Sequence, residues 1–169
     1  ISLTFSNTNT NRYNPYSRTI TVERYDTKTM KRLRNESIQK ARKAKRWGVI
    51  LGTLGRQGSP AILKHVESVL KKRNMPYFVI LMSEIFPERL KRFGKEVDAW
   101  IQIACPRLSI DWGHHFSKPL LSAYEFEVTM KESEWRERYP MDYYSRKGGK
   151  WSNYTARKEI QNASKEPST

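Results

Sequence analysis

Three short apolar runs, "WGVILG" (47–52), "YFVILM" (77–82) and "VDAWIQIA" (97–104), punctuate the middle of the chain, and helically spaced apolar residues follow the first two. Runs of this length fit buried strands. Strands of that kind alternating with helices make β-α-β units and a parallel sheet. Between the first two runs, Ser59 and Pro60 read as an N-cap and a first-turn proline, and Ile62, Leu63, Val66, Val69 and Leu70 form one helical stripe. "PERLKRF", opened by Pro87 and stopped by Gly94, reads as a short helix. "KPLLS" reads as a short fourth strand. Ser122 with Glu125 three residues on is a capping box for a last helix over Ala123, Phe126 and Met130. The expected fold is α/β, a short and mainly parallel sheet flanked by helices.

The flanks read differently. Residues 1–28 are rich in Asn, Ser, Thr and Pro and read as a linker or arm, a loop with one short strand near Thr19–Val22. Met30, Leu33, Ser37 or Ile38, Ala41 and Ala44 give a leading helix over 29–46 whose opposite, basic face is expected in water. That helix opens the α/β domain, assigned to 29–145. The tail, 146–169, is Gly-rich and polar and is expected to be extended or flexible.

Of the formal net charge of +15, residues 1–46 carry 12 Lys/Arg against 3 Asp/Glu, residues 47–140 carry 14 against 11, and 141–169 carry 6 against 3. The domain's own body is nearly balanced, so the basic excess sits on the leading helix and the tail. A dedicated nucleic-acid binder would carry it on the folded surface, and no specific nucleic acid is expected. A basic module holding RNA or a ribosome-associated substrate remains the rival reading; a structural or dimerising domain with a buried cysteine is a third. No run approaches the ~20 apolar residues that span a bilayer, and no secretory pattern opens the chain, which begins at Ile1. One cysteine excludes an internal disulfide framework and fits a reducing, cytoplasmic setting.

In a parallel α/β sheet, the loops leaving the carboxyl ends of the strands share a rim where ligands bind. Here these loops are "TLGRQGS", "SEIFP" and "CPRLSIDWG". The glycines of "GTLGRQGSP", Gly55 and Gly58 among them, fit either a tight strand-to-helix turn or a cradle for an anionic group, with Arg56 and Gln57 at its tip. The spacing matches neither common nucleotide-binding pattern. Cys105 arrives at the same rim at the end of the third run, and Pro106 ends the ladder directly after it. A lone cysteine is commonly a small buried hydrophobe. His114 and His115 are adjacent loop residues without the spacing of a zinc site or the oriented base of a nucleophilic cysteine.

"WGVILGTLGRQGSP", "LMSEIFPERL", "IQIACPRLSIDWG", "FSKPLLSAYE" and "YPMDYYS" closely resemble the third domain of the diphthamide synthase family, in its subunit 1 branch. The resemblance runs from about Tyr13, in "RYNPYS", to about Ser145. It implies a noncanonical radical S-adenosylmethionine enzyme of three similar α/β domains, each giving one cysteine to a single 4Fe-4S cluster, Cys105 being the third domain's ligand. The implied reaction transfers the 3-amino-3-carboxypropyl group of S-adenosylmethionine to a histidine of translation elongation factor 2. The implied partners are the second diphthamide synthase subunit, elongation factor 2 and a small reductant protein. At the rim, Arg56 or Arg107 would then face the cofactor's carboxylate, Glu84 or Asp111 its ammonium or sulfonium, and Gln57 either; Arg107 and Asp111 read equally well as loop-fixing ion pairs. The chain lacks the other two domains and is expected to be inactive by itself.

Overall fold

A computed structural model of the chain describes residues 10–23, 26–55, 57–145 and 151–153. Its centre is a four-stranded sheet in the order β4-β3-β5-β6, every pair parallel. β3 spans Trp47–Gly52, β4 Tyr77–Met82, β5 Ala99–Ile103 and β6 Leu120–Ser122. The inner strands β3 and β5 are almost wholly buried. Side chains alternate across them. Val49 and Ile101 face one core with Ile38, Ile62, Leu70 and Phe126, whereas Ile50 and Trp100 face a smaller one with Leu90, Val97 and Leu120.

Helices cover both faces. α1 (Thr27–Ala41), α2 (Pro60–Lys72) and α5 (Ala123–Thr129) supply the larger core, and α3 (Pro87–Lys91) the smaller. Pro60 and Pro87 both stand at helix starts, and Ser122 with Glu125 forms the expected capping box. Ser59 occupies its N-cap position, but its buried hydroxyl makes no capping bond. The stretch after Cys105, expected as loop, holds a further short helix, α4 (Arg107–Trp112). Pro106 accounts for it: its carbonyl accepts from both Ser109 N and Ile110 N, and its φ is set for a first turn.

The arm differs from its sequence reading. Instead of one strand in a loop, β1 (Thr10–Asn14) and β2 (Thr19–Glu23) form an antiparallel hairpin. Asn14 Oδ1 accepts from Tyr16 N at 3.0 Å, which supplies the turn, and Arg18 takes the left-handed conformation that closes it. Tyr13 pairs with Ile20, an aromatic against a β-branched residue. α1 also stops earlier than the 29–46 expected. Asp98 Oδ2 accepts from Lys45 N and Arg46 N at 3.1 and 3.0 Å, turning the chain out of the helix and into β3.

The basic face of α1 does not lie wholly in water. Arg34 is 1% exposed and meets Glu125, fully buried on α5. Arg34 Nε donates to Glu125 Oε1 at 2.6 Å and Nη2 donates to Oε2 and to Leu120 O, both at 2.7 Å. Glu125 also accepts from Ser122 N at 2.9 Å and from the Tyr139 hydroxyl at 3.0 Å. Burial, with the Glu125 carboxylate beside it, holds the Tyr139 hydroxyl well above its ordinary pKa, so it keeps its proton and donates. α5 is buried on every side: His65 on α2 meets Glu127 at 2.6 Å, and Arg73 reaches Glu132 at 2.9 Å and the carbonyl of Met130 just past its end. Part of the tail joins this layer. Trp151–Asn153, expected to be extended or flexible, are buried, with Trp151 Nε1 donating to Asp142 at 2.6 Å; the rest of 146–169 lies outside the described residues.

Removing one member of so buried a pair leaves the other charge unsolvated. Arg34→Ala should lower the unfolding free energy by about 3–5 kcal/mol. The double substitution Arg34→Met with Glu125→Leu should recover most of that loss; urea titration of the three proteins checks both.

Candidate functional site

The loops leaving β3, β4 and β5 meet at one end of the sheet, as the parallel topology requires. They enclose an open cleft of about 270 Å³ lined by Leu54, Gln57, Glu84, Phe86, Cys105 and Leu108, among others. Leu54 and Phe86 present apolar surface that is 58% and 48% exposed, while Gln57, Ser83, Glu84 and Cys105 supply polar groups. The recess is mainly apolar with a few polar groups, and exposed apolar surface of this kind marks an interaction site.

The β3 loop is shaped by its glycines. Gly55 has φ +60 with nothing near its missing side chain, so it is needed for backbone conformation. Gly58 is needed for space: a Cβ there would lie 2.2 Å from the carbonyl oxygen of Gly52. The loop therefore folds back onto the strand it left and turns Gln57 toward the cleft. The Gln57 carbonyl accepts from the Tyr143 hydroxyl at 2.7 Å, tying this loop to the aromatic segment that follows α5. Arg56 lies outside the described residues.

Cys105 is half-buried where β5 ends. Its carbonyl accepts from Leu108 N and from Gln102 Nε2, both at 3.1 Å. Tyr144, exposed beyond Tyr143, has its pKa raised by partial burial and by the neighbouring Cys105. Glu84 stands at the cleft edge, 3.7 Å from Arg89. Arg107 and Asp111 pair with each other, one turn apart on α4, with Nε 2.6 Å from Oδ2, and neither is among the residues that line the cleft. The His114 and His115 rings lie 4.0 Å apart, tilted by 39°, with His115 beside Trp112, and neither lines the cleft.

Among the described residues, no group of three or more His, Cys, Asp or Glu is placed to hold a metal ion. A complete set of such donors is therefore not assembled by the described residues. The half-exposed position of Cys105 at an open rim fits use as a metal donor; a thiol packed into the core would not. Sequence reasoning placed Gln57, Glu84 and Cys105 on the rim but gave no role to Leu54, Phe86 and Leu108, which lay in the same loops, or to Gln102. The visible signal was the aromatic "YPMDYYS" after the last helix, which the structure lays against the β3 loop.

The chain matches the family described as "Putative diphthamide synthesis protein" over residues 1–140. Among curated relatives it is 53% identical to 2-(3-amino-3-carboxypropyl)histidine synthase subunit 1 of Dictyostelium discoideum, over 85% of this chain and 30% of that protein. It is equally 53% identical to the mouse protein of that name, over 85% of this chain and 33% of the relative. The chain thus spans about a third of the length of these relatives. The crystal structure of Dph2 from Pyrococcus horikoshii with a 4Fe-4S cluster superposes with a TM-score of 0.59 at 29% identity, covering 75% of this chain and 34% of that one.

The two glycines of the loop should respond differently to a methyl group. Gly58→Ala should cost about 1–3 kcal/mol through the clash with Gly52. Gly55→Ala, with open space around it, should cost about 1–2 kcal/mol from backbone conformation alone. Thermal unfolding separates stability, and the Gln57 amide chemical shift should move more in the Gly58 variant.

Proposed function

The chain belongs to the diphthamide synthesis family, and from that premise we propose that it is the cluster-facing α/β domain of a 3-amino-3-carboxypropyl transferase subunit, with Cys105 as its one ligand to a 4Fe-4S cluster. The observation that carries this reading is the position of the only thiol. Cys105 lines a cleft at the carboxyl end of a parallel sheet with its backbone held, and among the described residues no group of three or more His, Cys, Asp or Glu is gathered there. A cysteine so placed is useful when its companions come from the remainder of a longer protein, and the relatives are about three times as long.

When bound, such a cluster supplies the electron that reductive cleavage of a sulfonium requires. The chain's own residues provide the setting. Leu54 and Phe86 wall the recess with apolar surface and, once covered, exclude water from it. Gln57 offers an amide to the carboxylate or ammonium of the methionine moiety of S-adenosylmethionine, and Glu84 a charge to its ammonium or sulfonium. Arg56, between Gly55 and Gln57, is the cation nearest in sequence to that amide and one for the carboxylate. Arg107 and Asp111 brace α4, which follows the cysteine, through their mutual ion pair, and the Arg107 Nη groups are left for the carboxylate. The target is a histidine of translation elongation factor 2, and the partners are the second synthase subunit and a small reductant protein. No helix among the described residues is long and apolar enough to cross a membrane, which accords with a cytoplasmic enzyme.

The test uses the full-length subunit containing this chain, assembled with its partner and reconstituted without oxygen. Cys105→Ala should remove the cluster, read as iron and sulfide content and as the electron paramagnetic resonance signal after dithionite reduction. A normal cluster with normal transfer to elongation factor 2 would overturn the assignment. Gln57→Ala should leave the cluster intact and lower S-adenosylmethionine turnover about 10- to 100-fold, the range expected for a lost hydrogen bond to a charged group.

A further inference from the structure

Gln102 stands in the middle of β5, between Ile50 of β3 and Ser122 of β6, and is 1% exposed. Its neighbours along the strand, Trp100, Ile101 and Ile103, are all buried and apolar. A primary amide in such a place is unfavourable unless its hydrogen bonds are made, and here only one end is served. Nε2 donates to the Cys105 carbonyl at 3.1 Å and to Ser109 Oγ at 3.0 Å, whereas Oε1 is buried without a hydrogen-bond partner. The Cys105 carbonyl can only accept, so the nitrogen must be the atom that faces it.

The bond completes a set. Leu108 N donates to the same carbonyl at 3.1 Å, so both lone pairs of the Cys105 oxygen are engaged, one from within the sheet and one from α4. The next carbonyl, Pro106, is held by Ser109 N and Ile110 N, each at 3.1 Å, and the proline ring restricts the backbone between them. With the peptide planes on its carboxyl side fixed, the Cα–Cβ direction of Cys105 is fixed too. We propose that Gln102 is a positioning residue for Cys105: its amide aims the thiol into the cleft by anchoring the carbonyl from beneath. This rests on the reading of Cys105 as a cluster ligand. The fold itself does not require the amide, since an apolar side chain of the same length would fill the site without leaving Oε1 orphaned.

Gln102→Met keeps the length and removes the donor; Gln102→Glu keeps the shape and sets an acceptor against the carbonyl. In the full chain, hydrogen exchange at the Leu108 and Ser109 amides should accelerate about tenfold in Gln102→Met, the factor one lost hydrogen bond is worth, and further in Gln102→Glu. Exchange at Val49 in β3 should be unchanged. In the assembled enzyme, Gln102→Met should load a cluster but surrender it to a chelator about tenfold faster and shift its midpoint potential. Equal acceleration at Val49, or an unchanged potential and release rate, would reduce Gln102 to a packing residue and overturn the proposal. Cys105→Ala is run in parallel. If it abolishes the cluster while Gln102→Met behaves as native, the positioning role fails and the ligand assignment stands; if it retains the cluster, both fall.

Discussion

The ion pair between Arg34 and Glu125 is the contact on which the remaining architecture leans. Neither charge reaches water, and such a pair is tolerated only when every lone pair and proton finds a partner. That demand fixes α1 against α5, fastens α1 to the carbonyl of Leu120 in β6, and engages the capping box at Ser122. It also captures Tyr139, whose hydroxyl bridges Glu125 and Ser122. Hydrophobic burial supplies the bulk of the stabilisation, but it is indifferent to direction. The pair supplies the direction.

From Tyr139 the constraint passes outward to the rim. Tyr139, Tyr124 and Trp151 make an edge-on aromatic cluster, Arg136 lies over the Trp151 ring at 4.9 Å, and Asn153 N donates to the carbonyl of Tyr143 at 2.7 Å. Tyr143, held in this way, donates to Gln57 in the β3 loop. A chain of specific contacts thus runs from a buried salt bridge to a wall of the cleft, while the opposite wall is set by α3 and the loop before it. Between them Cys105 is fixed from below. Rigid support under a partly open recess holds the groups that line it in one geometry.

Much of the element order was readable because it rests on local chemistry. Pro60 and Pro87 start helices since a proline's missing N–H costs nothing there, and Ser122 with Glu125 satisfies two orphan donors within one turn. The rim position of Cys105, Gln57 and Glu84 followed from parallel topology, which places every strand's exit at one end. What escaped was local structure decided by contacts elsewhere. α4 was read as loop because "CPRLSIDWG" has too few residues for a helical period to show. The hairpin was missed because Asn and Thr dominate its strands, and Trp151 because its polar surroundings resemble a solvated tail.

The sequence by itself determined the α/β class, the strand order's raw material and the family, since hydrophobic period, helix punctuation and the long undivided motifs are properties of neighbouring residues. Only the tertiary structure decided that Arg34 turns inward, that α5 is buried all round, and that Arg107 and Asp111 satisfy each other. It also chose the residues that line the cleft beside Cys105. The physical reason is separation along the chain: Arg34 and Glu125 lie 91 residues apart, and Gln57 and Tyr143 lie 86 apart. No periodicity or spacing encodes which buried charge or hydroxyl will meet across such a distance; the packing of the sheet's two faces settles it.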